Sequence, residues 1–321
     1  MMKKKIEIFC TLGPKSLNKS FLKNVGKKVN LLRLNMSHIE PKHLERLIKY
    51  VKKYTKIPIC IDTEGAQIRT RVKIKKNYKI NKNIYIDKNN NNFNIYPPEV
   101  FDFLKKNDQL HVGFEGLKIV VVKHYSSRIK CKVTNPGILD NNKGVHLINR
   151  KITLNYLTKK DKLAIEIAIN NKIKNFALSF TNSAKDIHKF NKLLPNCRKI
   201  FKLETTRAIK NLDSIMNCGK DFLIDRGDLS KETTIEKIPF FQKLILKKAN
   251  KKKVNVFVAT NFLESMMNNP YPTRGEANDI YTTLVDGAKG LVLAGETAVG
   301  KYPTECVQFL LKIIKVFKLY K

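Results

Sequence analysis

Three side chains in two short segments have the types and spacing that could hold a divalent cation beside an anionic substrate. Lys202 and Glu204 are two residues apart in the segment RKIFKLET (198–205), and Asp228 ends the segment DFLIDRGD (221–228). Because side chains alternate along a strand, Lys202 and Glu204 point to the same face if their segment is a strand. Mg²⁺ usually takes one or two protein carboxylates with water and substrate oxygens, and an adjacent ammonium neutralises further negative charge. The three residues therefore predict a magnesium site, provided that the fold brings the two segments together.

Each of these residues also has a purely structural interpretation. Lys202 and Glu204 could form an ordinary ion pair on one face of a strand, and Asp228 could cap the helix that follows it. Further polar residues stand where other apolar runs end: Arg33, Asn35, Ser37, Asp62, Thr63, Arg69, Thr260 and Glu296. The choice between the two interpretations depends on whether these ends meet in the fold.

Eight short apolar runs of β type recur along the chain, each closed by polar or glycine-containing residues. Amphipathic segments such as 41–54 and 160–171 separate them, with apolar residues three and four apart as on the buried face of a helix. Alternating strands and helices in this number are typical of a TIM (β/α)8 barrel, an α/β fold whose strand ends form the active site on one rim. The predicted strands are 6–13, 30–37, 57–65, 175–182, 198–205, 221–228, 255–261 and 290–297.

The spacing of the runs is interrupted once, by about 110 residues between the third and the fourth. This section contains short alternating segments such as LKIVVVKHY and RIKCKVTN, separated by Asn, Gly and Pro turns. The pattern favours a small β-barrel-like domain inserted after the third strand. We expect the barrel at residues 1–71 and 151–321 and the inserted domain at 72–150, where it can act as a lid.

Composition excludes several classes of protein. The 321 residues carry a formal charge of +36, but the positive charge is spread along the chain and no nucleic-acid-binding signature occurs, so no dedicated nucleic-acid partner is expected. No stretch approaches the roughly 20 apolar residues that span a bilayer, so no membrane association is expected either. Six scattered cysteines without a CxxC pair indicate free thiols in a reducing compartment. We therefore expect a cytoplasmic protein.

Eight segments together resemble the signature segments of the pyruvate kinase family, in order and at comparable separations. The block from 259 to 280 is the most specific of them. The likeness covers the barrel and the inserted domain and stops before that family's C-terminal domain, so a form without this domain is expected. The segments are TLGPKS (11–16), LLRLNMSH (31–38), IDTEGAQIRT (61–70), KGVHL (143–147), FKLETTRAI (201–209), DRGDL (225–229), ATNFLESMMNNPYPTRGEANDI (259–280) and AGETAVGKYP (294–303).

The resemblance implies a role for each residue that matches a family motif. Lys202 and Thr260 resemble the catalytic residues, and the substrate-binding set corresponds to Arg33, Lys202, Gly227, Asp228 and Thr260. Glu204 and Asp228 resemble the ligands of Mg²⁺ or Mn²⁺. A possible K⁺ site corresponds to Asn35, Ser37, Asp62 and Thr63, and contacts to the nucleotide correspond to His38, Arg69 and Lys143.

The activity that the resemblance implies is phosphoryl transfer from phosphoenolpyruvate to ADP, which yields pyruvate and ATP. The partners would be these small molecules, and assembly into a homo-oligomer stays open. Two alternatives also stay open: a non-kinase enzyme that acts on phosphoenolpyruvate or a related oxoacid at the same metal site, and a non-catalytic basic binding protein.

Several positions depart from the family pattern. Glu64 stands where a lysine is usual, and Gln67 replaces a glutamate whose charge goes with potassium dependence, so the need for K⁺ stays open. Ser230 and Lys231 replace a pair of the Gly-Val type directly after Asp228. The positions expected to hold the metal and the substrate keep the family's residue types.

Overall fold

A computed structural model describes residues 5–25, 28–65, 67–89, 92–113, 116–150, 152 and 154–320. The strands, in chain order, are β1 Glu7–Thr11, β2 Leu31–Asn35, β3 Ile59–Asp62, β4 Ile68–Val72, β5 Lys76–Tyr78, β6 Asn83–Asp87, β7 Phe93–Tyr96, β8 Gln109–Val112, β9 Leu117–His124, β10 Arg128–Asn135, β11 Gly137–Leu139, β12 Gly144–Leu147, β13 Asn175–Leu178, β14 Arg198–Leu203, β15 Asp221–Asp225, β16 Asn255–Ala259 and β17 Gly290–Leu293.

The α-helices lie mostly between the strands of the first and last thirds of the chain. They are α1 Lys19–Asn24, α2 Pro41–Tyr54, α3 Val100–Phe103, α4 Lys159–Asn170, α5 Ala184–Leu193, α6 Thr206–Lys210, α7 Leu212–Met216, α8 Arg226–Glu232, α9 Ile238–Lys252, α10 Arg274–Val285, α11 Gly295–Ala298 and α12 Pro303–Leu319. Two short 3₁₀ helices cover Ile235–Lys237 and Glu264–Met267.

Eight parallel strands close into a barrel in the order β1-β17-β16-β15-β14-β13-β3-β2. Each of the eight predicted strand segments contains one of these strands, so the predicted (β/α)8 fold is confirmed. Each apolar run ends near the end of its strand, because the residues that follow the strand lie at the rim and no longer in the packed barrel interior. All the carboxyl ends lie on that one rim, as the parallel pairing requires.

The barrel interior is packed with apolar side chains from every strand. The rings of Phe9 and Phe257 stack with their centroids 4.4 Å apart. The Arg198 guanidinium lies over both rings and pairs with Asp221 at 2.6 Å and with Glu7 at 3.1 Å. Because these charged residues stand at the first positions of their strands, this cluster lies at the amino-terminal end of the barrel, opposite the predicted site.

The inserted section forms its own antiparallel, barrel-like sheet in the order β6-β10-β9-β8-β12-β4-β7, with β5 and β11 paired separately. Alternate residues of β9 and β10 are buried, as period-two patterns predict for strands with one face on a core. The inserted β domain is therefore present.

Two compact units divide the chain at positions that differ by several residues from the expected boundaries. One unit is residues 1–65 with 159–321, and the other is 66–158. Strand β4 accounts for the difference at the first boundary, because it pairs with β7 and β12 of the inserted sheet. Arg69, which was expected at the end of a barrel run, consequently belongs to the inserted domain.

All six cysteines are free, and Cys10, Cys60, Cys131 and Cys306 are buried. Among the described residues, no helix has the length and apolar character that crossing a membrane requires.

Candidate active site

Lys202 and Glu204 lie side by side near the carboxyl end of β14. The Nζ atom of Lys202 is 2.7 Å from Oε1 of Glu204, and both side chains are buried. Lys202 Nζ also lies 3.6 Å from an oxygen of Asp62 and 3.6 Å from an oxygen of Asp225, and it donates to Ser179 Oγ at 3.1 Å. The two side chains share one face, and the ammonium stands at the centre of three carboxylates.

The turn from β15 into α8 brings two more carboxylates next to Glu204. Asp225 is the N-cap of α8, and its side chain accepts a hydrogen bond from the backbone N of Asp228 at 3.4 Å. One oxygen from each of Glu204, Asp225 and Asp228 lies within 4.8 Å of the other two. This group has the composition of a site for a hard divalent cation.

Asp225 was missed by the sequence analysis. It stands at the end of a buried strand and three residues before a second acid, so the two acids flank a strand-to-helix turn. The DRGD spacing was the available signal, but only Asp228 of its two acids was considered, as a metal ligand or alternatively as a helix cap. In the structure the cap is Asp225, which leaves Asp228 inside the first turn of the helix.

Burial dominates the electrostatics of Glu204. Its Oε2 atom accepts a hydrogen bond from the backbone N of Phe180 at 2.6 Å. Burial raises the pKa of Glu204 to about 8, because the repulsion from Asp228 and Asp225 adds to burial and the attraction of Lys202 only partly offsets it. Glu204 therefore holds a proton more readily than an ordinary carboxylate when no cation is near.

At Lys202, in contrast to Glu204, the neighbouring charges outweigh the effect of burial on the pKa. Burial alone lowers the pKa of a lysine, but Asp62, Glu204 and Asp225 outweigh burial and raise the pKa of Lys202 above its ordinary value. The ammonium is consequently a permanent positive charge at neutral pH.

Arg33, in the middle of β2, and Asp62, at the end of β3, form a buried ion pair. Burial raises the pKa of Asp62, but Arg33 and Lys202 outweigh it, so the pKa lies below its ordinary value. Within the described part of the chain, the Nε atom of Arg33 is buried and has no hydrogen-bond partner. The Nε–H of Arg33 is therefore available to donate a hydrogen bond to a ligand. The Asp62 carboxylate, which pairs with Arg33, also faces Lys202.

The four residues of the expected K⁺ site lie together at the ends of β2 and β3. Asn35 and Asp62 are register partners, and Asn35 Oδ1 accepts from the backbone N of Ser37 at 2.9 Å. Thr63 Oγ1 accepts from the backbone N of Ser179 at 2.9 Å. The structure brings the set into one neighbourhood, although several of its oxygens already accept hydrogen bonds.

Thr260 adopts a left-handed backbone conformation with a φ of 73° just after β16. Arg226 supports this conformation, because its guanidinium donates to the Thr260 carbonyl oxygen from Nε at 3.0 Å and from Nη2 at 2.5 Å. The Thr260 hydroxyl accepts a hydrogen bond from the backbone N of Gly227 at 2.9 Å. The N–H of Gly227, which was expected to bind substrate, thus has a partner inside the protein.

The three expected nucleotide contacts are divided between the two units. Arg69 and Lys143 are neighbours in the inserted domain, where Gly144 is the register partner of Arg69 and the backbone N of Thr70 donates to the Lys143 carbonyl oxygen at 2.9 Å. His38 belongs to the barrel unit, where its backbone N donates to the Asn35 carbonyl oxygen at 3.1 Å.

Glu296 has a structural role at the rim. It is buried, and its oxygens accept from the backbone N atoms of Phe262 at 3.2 Å, Leu263 at 3.3 Å and Ala294 at 2.8 Å. These bonds tie the loops after β16 and β17 together.

Comparison with known proteins identifies the family. A family model described as "Pyruvate kinase, barrel domain" matches residues 3–307. The pyruvate kinase of Methanocaldococcus jannaschii is 33% identical over 98% of this chain and 70% of its own length. The pyruvate kinase of Geobacillus stearothermophilus is 31% identical, over 97% of this chain and 57% of its own length.

A tobacco relative, "Pyruvate kinase isozyme G, chloroplastic" from Nicotiana tabacum, is 30% identical over 96% of this chain and 58% of its own length. The chain thus spans somewhat more than half the length of some of the relatives it matches. The match extends through every barrel strand and through the turn that carries the carboxylates. By its barrel, its inserted domain and these relatives, the chain belongs to the pyruvate kinase family.

Proposed function

We propose that the chain transfers a phosphoryl group from phosphoenolpyruvate to ADP and so forms pyruvate and ATP. The observation that carries this proposal is the buried Lys202–Glu204 pair, which stands next to Asp225 and Asp228 at the carboxyl end of the barrel. Membership of the pyruvate kinase family supports it.

Glu204 and Asp228 would hold a divalent cation, Mg²⁺ or Mn²⁺, with Asp225 beside them. The residues fit such an ion, because their oxygens are hard donors and three carboxylates otherwise repel one another. Glu204 Oε1 supports the fit: it forms an ion pair with Lys202 but no aligned hydrogen bond within the described structure. When bound, the cation supplies positive charge to the enolate and phosphoryl oxygens of the substrate.

Lys202 and Arg33 would supply fixed positive charge to the phosphoryl group. The raised pKa of Lys202 keeps its ammonium charged, and its buried position makes the charge effective because little water screens it. The open Nε donor of Arg33 suits a phosphate oxygen, which a guanidinium binds well.

Thr260 and Gly227 would position the enolpyruvate part of the substrate. The Thr260 hydroxyl would lie near the substrate carbon that takes up a proton. The left-handed backbone of Thr260 is held by Arg226. The Gly227 N–H would bind the substrate carboxylate by exchanging its bond to the Thr260 hydroxyl for one to the substrate.

Two further groups of residues have proposed binding roles. Asn35, Ser37, Asp62 and Thr63 would hold K⁺ at the ends of β2 and β3. Within the inserted domain, Arg69 and Lys143 would bind phosphates of the nucleotide. Within the barrel unit, His38 is the proposed nucleotide contact.

The bond changes in the proposed reaction are few. The bond between phosphorus and the enol oxygen breaks and a bond between phosphorus and an oxygen of the ADP β-phosphate forms. The released enolate then takes a proton from solvent on carbon to become pyruvate. Such a transfer needs mainly alignment and charge neutralisation, and the side chains around Lys202 are suited to both.

A coupled assay of pyruvate formation tests the proposal. The purified chain is given phosphoenolpyruvate and Mg²⁺, with and without ADP, and pyruvate is measured. Pyruvate that forms only with ADP is the expected result. Turnover of phosphoenolpyruvate without ADP would instead favour a non-kinase reaction at the same site, and salt-sensitive RNA binding without either activity would favour a basic binding protein.

A further inference from the structure

Lys231 places a second ammonium on the proposed metal site. Its Nζ atom lies 2.5 Å from Oδ1 of Asp228, three residues earlier on α8. The two side chains are 17% and 19% exposed, so the contact is largely withdrawn from solvent.

An ion pair between residues three apart on a helix usually contributes little, because water screens it and two long side chains lose freedom. The pair of Lys231 and Asp228 differs from that situation in its surroundings. Asp228 lies within 4.8 Å of the carboxyl groups of Glu204 and Asp225, so its negative charge faces that of Asp225 and, whenever Glu204 is ionised, that of Glu204 as well. A positive charge at Asp228 therefore relieves repulsion as well as forming a pair.

Each of the two proposed metal ligands has a lysine ammonium as a partner. Lys202 pairs with Glu204, and Lys231 pairs with Asp228. An ammonium and a divalent cation compete for the same oxygen lone pairs, since both are bound by carboxylate oxygens. A carboxylate oxygen that already binds an ammonium is a poorer ligand for a metal.

We propose that Lys231 is a built-in counter-ion of the metal site, which neutralises Asp228 in the cation-free chain and is displaced from it when a divalent cation binds. This inference rests on the proposed function, in which Asp228 is a metal ligand. Lys231 acts through Asp228 and is a positioning residue in this scheme. Its presence lowers the affinity of the site for the metal and stabilises the site when the metal is absent.

Binding of Mn²⁺ to the substrate-free protein tests the inference without reference to activity. The fraction of bound Mn²⁺ is followed by electron paramagnetic resonance for the wild type, Lys231→Met and Lys248→Met. Lys248 is the matched control, because its Nζ lies 2.5 Å from Asp213 in a more exposed Lys–Asp pair, which joins α9 to α7. Both variants lose one positive charge, but only Lys231→Met removes it from the carboxylate group.

The expected result is that Lys231→Met binds Mn²⁺ about tenfold more tightly than the wild type, which corresponds to about 1.4 kcal/mol. Lys248→Met should bind like the wild type, and Lys231→Arg should retain the lower affinity because it keeps the charge. Circular dichroism verifies the fold of each variant. Lys231→Gln, which keeps a polar side chain of similar length, replaces Lys231→Met if that variant is unfolded.

Equal or weaker Mn²⁺ binding in a folded Lys231→Met overturns the inference. Glu204→Gln separates this failure from a failure of the proposed function. If Glu204→Gln loses Mn²⁺ binding while Lys231→Met resembles the wild type, the metal site stands and only the role of Lys231 is wrong. If Glu204→Gln binds Mn²⁺ as the wild type does, the metal site itself is wrong and the inference falls with it.

Discussion

The ammonium of Lys202 lies 2.7 Å from the carboxylate of Glu204, and the two side chains are 6% and 0% exposed. Burial acts against the charge of both groups, yet their neighbours give them different outcomes. Asp62 and Asp225 help to keep Lys202 charged, whereas Asp225 and Asp228 help to raise the pKa of Glu204. The pair thus combines a permanently charged ammonium with a carboxyl group whose ionised form a second cation would stabilise.

Replacing Lys202 by Met should lower turnover of phosphoenolpyruvate by about 10²–10³-fold, because the charge it supplies grows in the transition state. Substrate should still bind, since Arg33 and the carboxylate group stay in place. The fold should survive at pH 7, because loss of Lys202 raises the pKa of Glu204 further and the buried carboxyl then stays protonated without an ammonium partner. Steady-state kinetics with Lys248→Met as control measure the effect, and near-normal turnover in Lys202→Met would remove Lys202 from the mechanism.

Metal binding should depend on pH through Glu204. Its pKa of about 8 lies above its ordinary value, so at pH 7 most of the free protein carries a proton that a metal must displace. Affinity for Mg²⁺ should therefore rise with pH and level off above about pH 8, with close to one proton released per metal at pH 7. Calorimetry in two buffers of different ionisation enthalpy measures the released proton. Binding without proton release at pH 7 would show that Glu204 is already ionised.

The fold and much of the site could be predicted because local pattern and topology agree. Each barrel strand is an apolar run that ends in a polar residue, and a closed parallel barrel brings every such end to one rim. Lys202, Glu204 and Asp228 could therefore be expected to meet although the sequence separates them. Helix α2 was predicted at its observed bounds, since its buried Leu44, Ile48 and Val51 recur three and four apart.

Other parts of the site could not be read from the sequence. Ser179 and Phe180 belong to an apolar run like any other, but Ser179 accepts from Lys202 and the Phe180 backbone N binds Glu204. Phe180 reaches that position with a φ of 52°, a left-handed conformation that a glycine would have indicated in the sequence and a phenylalanine does not. Asp225 ends an apolar run without a distinguishing motif, and its place beside the other acids depends on the parallel pairing of β14 with β15. The first boundary of the inserted domain could not be predicted either, because it depends on the pairing of β4 with β7 and β12, which lie further along the chain.

Barrel closure should depend on the absence of a side chain at Gly290. A Cβ atom there would lie 2.2 Å from the Glu7 carbonyl oxygen, between β17 and β1. Gly290→Ala should therefore lower the free energy of unfolding by about 3 kcal/mol. Gly275→Ala is the control, because its Cβ would meet nothing nearer than 3.9 Å and alanine favours a helix by up to about 1 kcal/mol. Urea unfolding compares them, and equal stability of the two variants would contradict the predicted close contact.

Glu276 should make one part of the stability dependent on acid. It completes a capping box with Thr273 at the start of α10 and accepts from the backbone N of Ser265 at 2.7 Å. Burial raises the pKa of Glu276, but the hydrogen bonds from Ser265 and Thr273 outweigh burial and lower it. A lowered pKa means that the stabilisation is complete above the unfolded value of about 4.3 and is lost as the pH falls through the folded value.

Glu276→Gln should accordingly be less stable than the wild type by about 1 kcal/mol at pH 7, and the difference should shrink below about pH 4. Urea unfolding at several pH values measures it. A difference that stays constant between pH 7 and pH 3 would mean that the charge of Glu276 plays no part in the cap.

The convergence of Glu204 and Asp228 on one cation is tested most directly by diffraction from crystals of the protein soaked in Mn²⁺. An anomalous difference map should show one peak between the carboxylates of Glu204 and Asp228, next to the Lys202 ammonium. A map in which Mn²⁺ binds elsewhere, with these carboxylates left empty at saturating metal, would contradict the proposed site.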